Sequence, residues 1–376
     1  MLISLDRHVA YSSPLLVLVL VLSAMHGPVW GSTLDVDYGG VPLWINRFLG
    51  EPSVLSLRGR MDPSWFRAVN TQSCPSECEC PVQWPTALYC DHRALGELPA
   101  ELPARTQYLF LQGNQLTGFR PDAFANATGL RWLFLDRNQL LSGRLDAGLF
   151  SGLTRLVNVF MNNNNLTEVP MGLPAGVRQL RLAYNHIEKI PPGTFENLRN
   201  LTTLLLQGNR LKVVGESDFK GLSSLSLLDL SGNLFETFPR HLPPSVSQLY
   251  LSNNSLVGVE GGILQGLPGL RYLRLGRNIL RDGGMEPGAF NLSSLVELEL
   301  SYNQLTRIPV VPTTLQYLYL EANQISVFNV SSLCREVSIT AYSRIKILRL
   351  DGNKLRPHEL PADWAMCLRV LHHIYI

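Results

Sequence analysis

The sequence predicts an α/β repeat solenoid: a curved horseshoe with a parallel concave β-sheet and a disulfide-bonded cap at each end. Three observations carry that prediction. A short leucine pattern returns eleven times between residues 106 and 355. All six cysteines stand near the ends of that region, at Cys74, Cys78, Cys80 and Cys90 and then at Cys334 and Cys367, with 243 residues between the two groups. The composition, 45% hydrophobic and 16% charged over 376 residues, shows no break that would divide the repeats into separate domains.

The pattern is clearest at Leu130, Leu133, Leu135, Asn138 and Leu140, which fill every fixed position of L-x-x-L-x-L-x-x-N-x-L, the signature of a leucine-rich repeat. It returns from Leu201, Leu270, Leu295, Leu315 and Ile345, with looser copies from Thr106, Leu156, Val177, Leu225 and Val246. The second and third apolar positions lie two residues apart, so a strand points both to one face. The first turns inward from the preceding bend. One turn buries too little apolar area to fold alone, and stacking supplies the remainder. The asparagines at the ninth position, from Asn114 to Asn353, are expected to satisfy backbone groups that the bend leaves unpaired.

Intervals between these asparagines run 24, 26, 21, 24, 24, 21, 24, 25, 20 and 30, a long-long-short rhythm ending in one outlier. Long turns carry Phe124, Phe150, Phe195, Phe219 and Phe290, while short turns carry prolines such as Pro170, Pro239 and Pro309. Proline favours extended backbone without ladder donors. The back of the solenoid is therefore expected to alternate between short helical turns and extended segments.

The start of the chain reads as an export signal. Arg7 and His8 precede an apolar run from Leu15 to Leu22, followed by small residues. That run is far shorter than the ~20 residues of a membrane span. Residues 1–27 are read as the signal, residues 28–73 as a flexible extension and residues 74–105 as a cysteine-rich cap, followed by repeats over residues 106–325. Six cysteines in an exported chain point to disulfides. A zinc site built from the first four is the competing reading, although C-x3-C-x-C-x9-C matches no common zinc spacing. Sequence alone allows three connectivities for those four. Net charge is +2, with no global pull toward nucleic acid or acidic membranes.

The long-long-short rhythm, the four-cysteine cluster and the elongated penultimate repeat resemble the small leucine-rich proteoglycans of extracellular matrix. The run Pro85 to Cys90 is similar to the class of fibromodulin, lumican and keratocan. The C-terminal run Leu348 to Asn353, with Pro361, Asp363, Cys367 and Arg369, resembles fibromodulin most. The resemblance implies pairing of Cys74 with Cys80, Cys78 with Cys90, and Cys334 with Cys367. It implies that residues 326–376 form a protruding "ear" repeat and a C-terminal cap. It also implies fibrillar collagen as partner and keratan sulfate on some N-linked chains. In the family, an acidic and a basic residue after the last ladder asparagine serve collagen binding. Lys354 and Arg356 stand there in this chain, so the acidic member is missing. The family's tyrosine-rich acidic tail is also missing: Tyr38, beside Asp35 and Asp37, is the one candidate for sulfation.

Two sets of residues are candidates for function. Sequons at Asn126, Asn165, Asn200, Asn253, Asn291 and Asn329 are expected N-glycosylation sites, none of them a ladder asparagine. Outward strand positions form the candidate partner-binding face: Arg178, Arg181, Tyr250, Arg271, Tyr272, Arg274, Glu297, Glu299, Tyr317 and Tyr319. Aromatic and arginine side chains suit such a face because they offer large contact area and forked donors. The same face is a candidate homodimer interface, and a growth factor or innate-immune ligand is the alternative partner. Eight scattered histidines form no metal-ligand spacing, and no nucleophile elbow or phosphate loop accompanies them. No catalytic residue, metal or cofactor is expected, and binding is the expected activity.

Overall fold

The computed structural model describes residues 74–81, 84–336, 338 and 340–376. The export signal, the extension and Tyr38 lie outside the described residues.

Among the described residues, thirteen strands of three residues each form a single sheet. They are β1 (Ala87–Tyr89), β2 (Tyr108–Phe110), β3 (Trp132–Phe134), β4 (Asn158–Phe160), β5 (Gln179–Arg181), β6 (Thr203–Leu205) and β7 (Leu227–Asp229). Then come β8 (Gln248–Tyr250), β9 (Tyr272–Arg274), β10 (Glu297–Glu299), β11 (Tyr317–Tyr319), β12 (Ile347–Arg349) and β13 (His373–Tyr375). The order in the sheet is the order in the sequence, and every neighbour is parallel. A parallel neighbour needs a crossover, and here the back of each turn is that crossover.

The leucine pattern explains the burial. The central residue of every strand from β2 to β12, among them Leu109, Val159, Leu204, Leu273 and Leu348, is fully buried. The next apolar position, such as Leu135 or Leu206, is buried with it. Each such side chain contributes roughly 1.5–3 kcal/mol of transfer free energy. Ile374 of β13, the strand at the edge of the sheet, is only half-buried.

The ladder asparagines do what the motif implies. Asn164 Oδ1 accepts the Leu140 amide of the preceding turn at 3.0 Å, and its Nδ2 donates to Leu135 O at 2.9 Å and Met161 O at 3.1 Å. One side chain thus joins two turns. The motif did not reveal the residue just before each ladder asparagine. It has positive φ throughout, as at Gly113 (70°), Arg137 (55°), Tyr184 (54°), Arg277 (53°), Tyr302 (52°) and Ala322 (54°). A left-handed residue there turns the chain sharply enough to aim the asparagine inward, at a steric cost for every residue with a Cβ.

The back of the solenoid differs from expectation. Phe124, Phe150, Phe195, Phe219 and Phe290 are buried there, but most long turns run through successive hydrogen-bonded turns rather than regular helix. A 3-10 helix forms at Ile263–Gly266. Two more, Ser142–Arg144 and Asp282–Gly284, take up extra residues of the 26- and 25-residue intervals. A crossover this short leaves too few residues to repeat an α-helical turn.

Both ends are closed. Disulfides join Cys74 to Cys80 and Cys78 to Cys90, and Glu79 forms an antiparallel bridge with Tyr89 along the outer edge of β1. At the other end Cys334 is joined to Cys367 with a Cα separation of 6.0 Å, which ties the longest interval to the segment before β13.

Candidate functional site

Flanking the central leucine, the first and third residues of each strand form two columns on the concave face. The register aligns Tyr89, Phe110, Phe134, Phe160 and Arg181 in one column. The first three rings stack at centroid distances of 4.5 and 4.6 Å, Phe160 packs tilted on Phe134 at 4.8 Å, and the Arg181 guanidinium caps the series 4.7 Å from the Phe160 centroid. Tyr108 and Trp132 pack alongside in the other column, and Trp84, three residues before β1, packs on Tyr108. These aromatics cover one another, so Tyr108, Trp132 and Phe160 are buried although they belong to the concave face. Each pair contributes about 0.5–1.5 kcal/mol beyond its area. The amino-terminal half of the face is thus a rigid aromatic floor.

The third-position column changes character beyond Leu205. It continues Asp229, Tyr250, Arg274, Glu299, Tyr319, Arg349 and Tyr375, alternating phenols with charges. Arg274 lies over the Tyr250 ring at 4.6 Å and donates from Nε to Glu297 Oε1 at 3.0 Å. Burial works against the Arg274 charge, but Tyr250 and Glu297 outweigh it and hold its pKa above the ordinary value. Burial also raises the phenols of Tyr250 and Tyr319 and the carboxyl of Glu321. Arg349 grips Asp351 through Nε and Nη2 at 3.0 and 2.8 Å, and that bond holds the Asp351 carboxyl low. Arg274, Glu297, Glu299, Tyr319, Glu321 and Arg349 line an open cleft of about 410 Å³.

The ten expected partner-binding residues therefore sort by what they have left to offer. Arg178 and Arg271 precede their strands; their carbonyls join the ladder and their side chains are exposed. Tyr272, Glu297, Tyr317 and Tyr319 are half-buried and reach the surface. Tyr250 is roofed by Arg274 and only 6% exposed. Glu299 spends its oxygens on the bends, accepting the Gly276 amide at 2.8 Å and the Ser301 amide at 3.0 Å. Arg181 is committed to Phe160. Periodicity identified the face without distinguishing roofed residues from free ones. The Arg349–Asp351–Glu321 group was missed as a site, since its Asp and Glu fall outside the strands.

Asp136, just beyond β3, was also missed. Burial raises its pKa to about 6, against the Asn162 amide at 2.7 Å and the charges of Arg181 and Arg137.

The six sequon asparagines are all exposed. Asn165 and Asn253 sit beside the buried or half-buried Asn164 and Asn254. Asn200 Nδ2 donates to Ala175 O at 3.1 Å, and Asn329 caps the 3-10 helix Val330–Ser332 by accepting the Ser331 amide. Lys354 and Arg356 are exposed. Among the described residues no cluster of His, Cys, Asp and Glu is arranged to hold a metal, and no helix is long and apolar enough to cross a membrane.

Comparison with known proteins agrees with this architecture. Two leucine rich repeat family profiles match, one over residues 175–235 and one over residues 105–127. Fibromodulin of Bos taurus is 44% identical over 81% of this chain and 81% of its own length. Lumican of Coturnix japonica is 43% identical over 81% and 89%, and keratocan of Gallus gallus is 41% identical over 86% and 94%. A chain in the solved octameric complex of Latrophilin 3, Unc5D and FLRT2 (LRR) superposes with a TM-score of 0.65 at 27% identity, covering 80% of this chain and 83% of that one. With identities above 40% across four-fifths of its length, the chain belongs to the small leucine-rich proteoglycan family, in the class of fibromodulin, lumican and keratocan.

Proposed function

We propose that this protein binds fibrillar collagen through its concave face and limits the lateral growth of fibrils. Its family places it outside the cell, in extracellular matrix. One observation supports the reading above others: the half-buried phenols of Tyr272, Tyr317 and Tyr319 stand among Arg271, Arg274 and Glu297 on consecutive strands. A rod lying across such strands meets flat rings for contact area and charges of both signs for register. Glycans on the sequons extend from the protein and hold neighbouring fibrils apart, with keratan sulfate as the expected modification. The solenoid acts as a binding scaffold and not as an enzyme. Cofactor chemistry has no part in this reading.

Collagen fibril formation followed by turbidity and electron microscopy tests it. The glycosylated protein is expected to slow fibril growth and narrow the fibrils. A combined Arg271→Ala, Tyr272→Ala, Tyr317→Ala variant should lose most of that effect. Unchanged kinetics and diameter with the unsubstituted protein would overturn the collagen reading in favour of a captured soluble ligand. Full activity in the variant would move the site off this face.

A further inference from the structure

Four arginines stand along the edge where the chain enters the concave sheet, in four consecutive turns. Arg131 lies one residue before β3, Arg155 three before β4, Arg178 one before β5 and Arg199 four before β6. Arg155, Arg178 and Arg199 are exposed and Arg131 is partly so. The ladder connects their turns directly: Arg131 O accepts the Val157 and Asn158 amides, Val157 O accepts those of Arg178 and Gln179, and Arg178 O accepts those of Thr202 and Thr203. With neighbouring strands ~4.8 Å apart, the four turns span roughly 15 Å.

These arginines differ from several others on the fold. Arg240, Arg274, Arg307 and Arg349 each face a carboxylate within 4 Å. No side-chain partner accompanies Arg131, Arg155, Arg178 or Arg199 among the described residues. The strip ends there, because the position four before β7 is Ser223, and Lys220, three residues earlier, faces Glu196 at 3.7 Å. The residues between the arginines are small: Thr128 and Gly129, Gly152 and Thr154, Ala175 and Gly176. Nothing bulky or apolar rises among them.

We propose that this edge binds a linear polyanion of the sulfated glycosaminoglycan type. An unpaired guanidinium offers a planar fork of donors that matches a sulfate or carboxylate oxygen pair. A row of such forks suits a ligand that repeats its charge along a line. A folded or collagenous protein partner would need buried aromatic or aliphatic anchors for affinity, and this edge has none. A polysaccharide needs only the charges and an unobstructed surface. The surface is separate from the phenol-bearing strands β9–β11, although Arg178 borders both the arginine edge and the concave face. Asn200 follows Arg199 directly, so a glycan there shields the last position of the row.

The test uses the full secreted protein and a fluorescent heparin octasaccharide as the polysulfated probe. The unsubstituted protein is expected to bind, with affinity falling steeply as salt rises, because neutralising a polyanion releases its counterions. Replacing all four arginines with glutamine should weaken binding at least 30-fold and flatten the salt dependence. Replacing them with lysine should recover part of it, through charge without the fork. The Asn200→Gln variant should bind more tightly than the glycosylated protein. Equal binding by the four-glutamine variant, or equal binding of a fully desulfated octasaccharide, overturns the proposal. So does a preference for an acidic collagen peptide over the octasaccharide. Fibril formation in collagen alone, without glycosaminoglycan, reads the collagen function separately.

Discussion

Arg274 closes over Tyr250 from the following turn, its guanidinium 4.6 Å from the ring centroid and its Nε bonded to Glu297. The two residues occupy one column of the sheet, so the contact is fixed by strand register and not by loop conformation. A cation over a ring is worth about 1 kcal/mol here, where the arginine keeps part of its surface in water. The Arg274→Gln variant should therefore lose about 1 kcal/mol. Burial raises the Tyr250 phenol while Arg274 draws it down, so removing the cation should raise it further. Spectroscopic titration of tyrosine against the unsubstituted protein checks this, and a downward move would show that the pair is not coupled.

Adjacent asparagines should behave in opposite ways. Asn164 is buried and serves four backbone groups, whereas Asn165 is exposed and belongs to a sequon. Asn164→Ala leaves the buried Leu140 amide unpaired, while the Leu135 and Met161 carbonyls keep Asn138 and Asn185 as donors, and should cost about 2 kcal/mol. Asn165→Ala should change stability by less than about 0.5 kcal/mol in unglycosylated protein. Urea denaturation of both variants distinguishes them. Comparable losses would mean that the register of the bend differs from that described.

This contrast shows what the sequence makes legible and why. The leucines and ladder asparagines are visible because their role demands one residue type: only a branched apolar side chain fills the core at Leu133 or Leu204, and only a short amide reaches two turns from Asn164. The left-handed position before each asparagine was invisible because the constraint falls on backbone. Gly113, Arg137, Tyr184 and Ala322 all satisfy it at differing cost. The state of the concave face was hidden for another reason. Period-two reading places Tyr108, Trp132 and Tyr250 outward, but their burial comes from neighbours one turn away, some twenty residues off in sequence. The free arginine edge was partly read, since Arg178 was singled out while the pairing of its neighbours was not.

Gly208 and Tyr184 test the cost of the left-handed position. Both have positive φ, and a Cβ on Gly208 would lie 2.5 Å from the Tyr184 ring of the preceding turn. Gly208→Ala should thus cost more than the ~1–2 kcal/mol of left-handed backbone alone. In a Tyr184→Gly background the ring is gone, and the same change should cost only the backbone term. Tyr184→Gly alone should relieve strain of its own. Thermal or urea unfolding of this double-mutant cycle measures the coupling, and strict additivity would exclude the contact.

Reduction of the C-terminal disulfide should loosen one end of the solenoid selectively. Closing the loop from Cys334 to Cys367, a separation of 33 residues, stabilises by about 4 kcal/mol in the chain-entropy view. Each turn in a solenoid contacts only its neighbours, so the loss should stay local. In a Cys334→Ser, Cys367→Ser variant, amide exchange is expected to quicken in β12 and β13 while β4 to β8 keep their protection. Uniform quickening would mean that the whole array unfolds as one unit.

Asp136 gives the fold a pH dependence whose sign is opposite to that of most carboxylates. Burial raises its folded pKa to about 6, above its ordinary value of 3.8, despite the Asn162 amide and the charges of Arg181 and Arg137. Between about pH 4 and 6 the folded state then holds more protons at this site than the unfolded chain does. Its contribution is therefore present in full below pH 4 and is lost as pH rises through 6. A shift of this size corresponds to at most about 3 kcal/mol, and the partial solvent contact of the side chain places the real value below that limit. Asp136→Asn keeps the shape and an acceptor for Asn162 but carries no charge. The variant should be more stable than the unsubstituted protein at pH 7 and should lose that advantage by pH 4. Urea midpoints across this range measure the difference, and a constant offset between the two proteins would show that Asp136 titrates alike in both states.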